Sequence, residues 1–376
     1  MEQSGADRRS LLKVGAAALT GAAVSSGSGA AQNALARTQG LRSLPRAEVA
    51  ADRITRRIAG LRPFRPSGFV VRAERLGEKT VIHNYGHGGC GVTLSWGTAD
   101  MATKLALETP HRQAAVIGCG AVGLATARLL QDRGFEVTIY AKELPPDTTS
   151  NVAAALFGVT SLVDDAHQTG EVVGRIQQAA RFAHRYYQNF VGDRYGVRWI
   201  KFFLIGDEPQ NQPWDFAITP ELYPLTPVEP GDNPFPRKYA SSFPGIFIET
   251  NIYLPQMLAD FLLRGGKLHV RSFADRSELA RLAPPLIVNC TGLGAKALFG
   301  DEELTPVKGQ LTLLLPQPEL DYVYLDGAKD DLYMFPRRDA VILGGSHEHG
   351  VWSTEPDETQ ATRIFEGHRQ IAAGMR

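Results

Sequence analysis

Cysteine is scarce: three in 376 residues, Cys90, Cys119 and Cys290, odd in number and far apart. With no C-x-x-C pair and no zinc spacing, neither a disulfide framework nor a metal site is expected. Cys119 and Cys290 sit in apolar runs, which predicts small buried core thiols. Charge of one sign is also missing. Forty basic residues face 40 acidic ones, so nothing in the net charge argues for nucleic acid. A membrane-spanning run is absent too, since the apolar stretch Val14 to Val24 is too short to cross a bilayer.

Length and composition leave room for one large or two medium domains, with 43% hydrophobic residues. The stretch Ala114-Ala115-Val116-Ile117 breaks into Gly118-Cys119-Gly120-Ala121-Val122-Gly123, a G-x-G-x-x-G that opens a helical pattern through Gln131. In a dinucleotide-binding turn the first glycine makes the tight bend, the second admits a pyrophosphate and the third lets helix pack on strand. The N–H groups at the helix start then face the phosphates. A second strand, Phe135 to Tyr140, follows at βαβ distance, and Lys142 and Glu143 stand where a ribose-binding acid is expected.

More than a hundred residues precede this unit. Asp7-Arg8-Arg9-Ser10 before the modest apolar run, with Ala34-Leu35-Ala36 as a cleavage site, looks like a twin-arginine export signal over residues 1–36. Export to the periplasm or exterior is expected, with a cytoplasmic location if the signal is not used. In Gly60-Leu61-Arg62-Pro63-Phe64-Arg65-Pro66 the prolines hold the backbone extended and fix the directions of Arg62 and Arg65. An arginine so fixed can clamp a carboxylate bidentately; a solvated basic loop is the alternative. The run Val81 to Gly97 places a glycine-rich turn between a strand and a helix, exposing N–H groups to an anion or ring carbonyl. His83 and His87 fall in that turn and read as structural, because the glycines oppose the helix that i, i+4 metal ligation needs.

These two segments, G-x-R-P-x-R-P and I-H-N-Y-G-H-G-G-x-G-x-T-x-x-W-G, resemble the carboxyl-terminal part of the D-amino-acid oxidase family, flavoenzymes that include D-aspartate oxidase. In the family they come last; here they precede the G-x-G-x-x-G. Pro145 to Ala154, which resembles the family's loop along the flavin pyrophosphate and ring, then Val288 to Gly292, Lys308-Gly309-Gln310, Tyr333 to Pro336, Leu343-Gly344-Gly345 and Gly350-Val351-Trp352 continue the resemblance in the usual order. The expectation is therefore a circular permutant with an α/β fold: a Rossmann-type FAD-binding domain plus a mixed-sheet substrate domain. Its segments are the signal, a spacer and permuted start at 37–58, and a permuted piece at 59–108 carrying the substrate arginine and glycine loop. The FAD-binding βαβ unit follows at 109–160, helical and substrate-domain segments at 161–285, and a flavin-contact turn, sheet and helix at 286–376.

The resemblance implies FAD as cofactor, a D-amino acid and dioxygen as small-molecule partners, and no stable membrane anchor. The twin-arginine machinery is a further partner, and a homodimer is left open. Around FAD it places Gly118, Cys119, Gly120, Ala121, Val122 and Gly123, then Lys142, Glu143, Thr148, Thr149, Ser150, Ala155 and Leu156. Val270, touching the adenine through its backbone, Thr291, and Gly88, Gly89, Cys90, Gly91, Val92 and Thr93 complete the set. The substrate carboxylate is implied to lie on Arg62 and the Tyr333 phenol, its amine at the Gly89 carbonyl, and its side chain near His347. No side chain is expected as an essential general base. Arg65, Lys329, Arg337 and His347 are open candidates to meet an acidic side chain. The family's tyrosine lid is shortened, since Asp326 to Leu332 holds no tyrosine. A glycine- or sarcosine-type flavin amine oxidase, a D-amino-acid or nicotinamide-dependent dehydrogenase and a non-catalytic flavoprotein stand as alternatives.

In the middle of the chain, Thr160 to Arg198 reads as mostly helical, Lys201 to Ile205 as a strand, and Pro209 to Pro244 as proline-rich loop. Phe247 to Tyr253 reads as a strand leading into a helix at Leu254 to Arg264.

Overall fold

Apolar runs bounded by glycine and proline become strands buried on both faces, as expected where helices cover both sides of a parallel sheet. The computed structural model describes residues 44–209, 217–327 and 331–376. The expected export signal and Lys329 lie outside them. β4 (Gln113–Ile117) and β10 (Leu286–Asn289) form the centre of a six-stranded sheet. Its order is β2 (Val70–Leu76), β3 (Lys79–Tyr85), β10, β4, β5 (Glu136–Ala141) and β9 (Lys267–Val270). All neighbours run parallel except β2 against β3. α1 (Gly91–Leu107) and α2 (Ala121–Asp132) pack against each other beside it.

The second sheet is mixed. It runs β1 (Ile54–Phe64), β11 (Thr305–Leu314), β14 (Val341–Gly344), β13 (Tyr333–Pro336), β12 (Tyr322–Asp326), β6 (Val197–Gly206), β8 (Tyr239–Ile248) and β7 (Thr226–Pro227). β15 (Glu348–His349) also pairs with β11. Only β12 and β6 lie parallel among these pairs. The chain order puts β1 to β3 before the G-x-G-x-x-G, yet β1 joins one sheet and β3 the other. α8 (Glu358–Gly374) is capped by Asp357, which accepts from Gln360 N at 2.8 Å, and lies against β11 and β14.

Thr160 to Arg198 is mostly helical as expected: α4 (Gly170–Tyr187), started by Thr169 as an N-cap, lies between single 3-10 turns at Asp165–His167 and Gln188–Phe190. The chain before them is pinned by Asp164 N donating to Pro66 O at 2.9 Å. Two local expectations are corrected. Pro244 lies in β8, not in a loop. β7 covers only Ser241 and Ser242, so β8 is an edge at Pro244 and its missing N–H costs no ladder bond. Tyr253 is helical, because α5 (Thr250–Leu263) begins immediately after the buried Glu249. α3 (Thr149–Val152) opens the expected flavin loop, while α6 (Arg276–Ala280) and α7 (Gly294–Phe299) flank β10 in sequence. No described helix is long and apolar enough to cross a membrane.

Candidate active site

A cavity of about 1610 Å³ is walled by residues of both sheets. That exceeds the roughly 300–1,000 Å³ of ordinary small-molecule pockets and suits a dinucleotide with a small substrate. At one end β4 runs into Gly118, whose φ of +115° and close approach exclude a side chain: a Cβ there would sit 2.4 Å from Cys290 O. A Cβ on Gly123 would sit 2.1 Å from Gly118 O, so α2 rests directly on the turn. The first helical N–H, of Ala121, donates to Ser150 Oγ at 3.0 Å, which brings the flavin loop over the helix start. The residues fit FAD: bare backbone at the phosphate position, a helix N-terminus behind it, and neutral thiols on either side. Burial pushes the Cys119 and Cys290 thiols up to about 12, so neither is a nucleophile near neutral pH.

Gly118, Cys119, Gly120, Ala121 and Val122 line the cavity, and so do Lys142, Glu143, Thr148, Thr149, Ser150, Ala155, Leu156 and Thr291. Gly88, Gly89, Gly91, Val92 and Thr93 form its roof over the expected ring position. The Thr93 hydroxyl donates to Gly158 O at 2.9 Å, and Gly89 N to Ser161 O at 3.2 Å, tying this turn to the flavin loop. His87 supports it from behind, with Nε2 2.9 Å from Thr98 Oγ1 and its ring stacked on Phe69. Burial pushes the His87 imidazole down to about 3, so it is neutral. His83 lies near Glu74 and Asn289 rather than near His87, which fits a structural role for both.

Three expected cofactor residues are outside the cavity lining. Gly123 does its work beneath the turn and is not a lining residue. Cys90 is wholly buried, its thiol donating to Thr160 O at 2.8 Å and accepting from Thr160 N at 2.9 Å, so it anchors the loop. Val270, expected to offer its backbone, turns its side chain to solvent at the end of β9, and the next residues, Arg271, Ser272 and Phe273, line the cavity. The reason is register: β9 pairs with β5 only as far as Ala141 opposite Val270, and the chain turns inward after that pair.

The other end is built by strand register. Leu204, Leu325, Tyr333, Gly344 and Leu311 stand in one row across β6, β12, β13, β14 and β11. Arg62 reaches this row from β1, its Nη2 3.5 Å from the Tyr333 phenol. Two glycines make the slot: a Cβ on Gly309 would meet Arg62 Nη2 at 2.8 Å, and one on Gly344 would meet the Tyr333 ring at 2.1 Å. Sequence reading saw both glycines in motifs without seeing this purpose. Burial raises the Tyr333 phenol above its ordinary value, which keeps it a proton donor. Arg62 Nη1 is buried with no hydrogen-bond partner among the described residues.

The other candidate cations among the described residues are occupied. Arg65 is held by Asp301 at 3.0 Å and Glu303 at 2.8 Å, and Arg337 by Asp339 at 2.6 Å, and neither lines the cavity. Both are thereby removed as partners for a substrate side chain. His347 lines the cavity but pairs with Asp331, Nδ1 to Oδ2, at 3.0 Å. Lys142, Arg271 and Lys296 pair with Glu143, Glu278 and Glu302. Among the described lining residues with a permanent positive charge, only Arg62 lacks a carboxylate partner.

The FAD dependent oxidoreductase (DAO) family profile matches residues 6–105 and 113–373. A D-amino acid oxidase of Dugesia ryukyuensis is 29% identical over 270 residues, covering 69% of this chain and 78% of that protein. A D-amino-acid oxidase of Rubrobacter xylanophilus is 30% identical over 274 residues, covering 67% and 75%. Among solved structures, glycine oxidase from Geobacillus kaustophilus superposes with a TM-score of 0.55 at 16% identity, covering 69% of this chain and 78% of that one, a likeness of fold. With two matched stretches spanning most of its length, the chain belongs to the FAD dependent oxidoreductase family.

Proposed function

We propose that this FAD-dependent oxidoreductase deaminates D-amino acids oxidatively, giving the 2-oxo acid, ammonia and hydrogen peroxide. The observation that carries the reading is the buried, unpartnered Arg62 Nη1 beside the Tyr333 phenol. A guanidinium N–H buried without an acceptor is costly, and an α-carboxylate supplies the missing acceptor and the opposite charge. Arg62 and Tyr333 then hold the carboxylate, and the Gly89 carbonyl accepts from the amine, the contact the family resemblance implies. Three fixed contacts select one enantiomer and orient its Cα hydrogen. FAD, when bound, would supply the two-electron acceptor for the Cα hydrogen, with dioxygen as the final oxidant. The apolar row Leu204 and Leu325 beside Tyr333, with every other described lining cation paired, favours a neutral substrate side chain.

Peroxide release from the FAD-loaded protein across D- and L-amino acids, glycine and sarcosine tests this, with Arg62→Ala alongside. Peroxide from neutral D-enantiomers alone, largely lost in the variant, is expected. Activity confined to glycine or sarcosine overturns the substrate reading, and anaerobic bleaching without peroxide makes the protein a dehydrogenase.

We also infer that the chain is a circular permutant. The motif order supports it, the family match breaks between 105 and 113, and residues 108–112 form a mostly exposed link between α1 and β4. Pro45 O and Met375 Sδ lie 2.9 and 3.6 Å from the same Tyr322 hydroxyl, so the two ends of the domain meet. A chain joined from 376 to 44 and reopened at 110 is expected to keep its flavin and turnover; loss of both sinks the inference. Export directed by Arg8 and Arg9 is proposed from the sequence pattern, and export surviving Arg8→Lys with Arg9→Lys would remove it.

A further inference from the structure

Two side chains lining the cavity carry a buried polar atom with no partner among the described residues. One is Arg62, used above. The other is Asn84, fully buried, whose Oδ1 has none. Its orientation is fixed by its neighbour. The Thr126 hydroxyl gives its only proton to Val122 O at 2.7 Å, so at 3.0 Å from Asn84 it must accept. Asn84 therefore turns its NH₂ to Thr126 and its carbonyl oxygen elsewhere. A buried side-chain acceptor left unpaired is uncommon and calls for a donor.

The strand order says which part of the cofactor is near. The adenosine side lies over β5 and β9, where Tyr140, Lys142, Glu143 and Phe273 line the cavity. The phosphate turn follows β4. Asn84 belongs to β3, on the other side of β4 with β10 between, and leads into the Gly88–Gly89 roof. Between phosphate and flavin ring FAD carries a polyol chain, whose hydroxyls are donors.

We propose that Asn84 Oδ1 accepts a hydrogen bond from a ribityl hydroxyl of FAD, making Asn84 a cofactor-positioning residue. The proposal rests on FAD occupying this cavity and not on the identity of the amino-acid substrate. It is tested with full-length apoprotein, by quenching of flavin fluorescence on binding FAD and its 2′-, 3′- and 4′-deoxyribityl analogues, with no amino acid present. The wild type is expected to bind one analogue about tenfold more weakly than FAD. In Asn84→Ala that difference should vanish. Thr126→Ser, which keeps the hydroxyl that orients the amide, should retain it. Equal binding of all four flavins by the wild type overturns the proposal without any variant. So does a deoxy penalty that survives in Asn84→Ala, which would assign Oδ1 to packing or a buried water. Because no substrate is used, failure of the oxidase reading leaves this result untouched.

Discussion

The glycine-turn end of the cavity presents backbone and the end at Arg62 and Tyr333 presents side chains, so the two ends should tolerate change differently. At the first, Gly118, Gly120 and Gly123 lie within six residues, and local chain geometry does the work. At the second, Arg62 and Tyr333 are 271 positions apart and meet only because β1, β11, β14 and β13 are neighbours in one sheet. A local motif fails as a unit when one glycine gains a side chain. A register-built site can lose substrate binding while keeping its flavin.

The sharpest test of that contrast is Gly118→Val, which places atoms against Cys290 O and forces a branched residue to positive φ. A cost of about 3 kcal/mol or more is expected. It should appear as a colourless protein with FAD affinity reduced at least about 100-fold. Arg62→Ala should do the reverse. Unchanged FAD affinity with kcat/KM lower by about 100- to 1,000-fold is expected, from loss of a buried charged hydrogen bond. A fall in FAD affinity instead would break the separation of the two ends.

Acid should weaken both ends together. His87 backs the glycine roof, and His368 Nε2 donates to Gly344 O at 3.0 Å behind the Arg62 slot. Burial pushes these imidazoles down to about 3 and about 4. Below about pH 6.5 the unfolded chain binds protons that the folded chain refuses, so stability is full above that pH and declines as pH falls. Roughly 1.4 kcal/mol per histidine is lost by pH 5.5. Denaturant midpoints at pH 7.5 and 5.5 measure it, and equal midpoints refute it.

Gly344→Ala should push Tyr333 off its seat at a cost of about 1–3 kcal/mol. A drop of about tenfold in kcat/KM with an unaltered flavin spectrum is expected. The smallest effect belongs to Asp331→Asn. The Asp331–His347 pair is largely exposed, and such pairs contribute about 0–1 kcal/mol. KM for neutral D-amino acids should move less than about fivefold, and a larger change would show that the pair contacts substrate.

Much of this architecture was legible in the residues. The G-x-G-x-x-G, its flanking strands and the glycine roof at Gly88 and Gly89 announced themselves because each is contiguous in sequence. Arg62 and Tyr333 were reached through motif resemblance, not through spacing. Cys90 went astray for a physical reason: proximity in sequence to a lining residue does not say which face a side chain takes. Arg65 and Arg337 looked as free as Arg62, since nothing local reveals that Asp301, Glu303 and Asp339 claim them. Pro244 misled because a proline's cost depends on whether its strand is an edge.

By itself, then, the sequence determined the phosphate turn, the extended arginine segment and the order of elements, all properties that backbone sterics impose within a few residues. Only the tertiary structure decided which cavity-lining arginine lacks a carboxylate partner among the described residues, why Gly309 and Gly344 must be bare, and that Asn84 Oδ1 has no partner among them. Those facts depend on strand neighbours and on competition among distant partners for the same donors and charges, which no local pattern encodes.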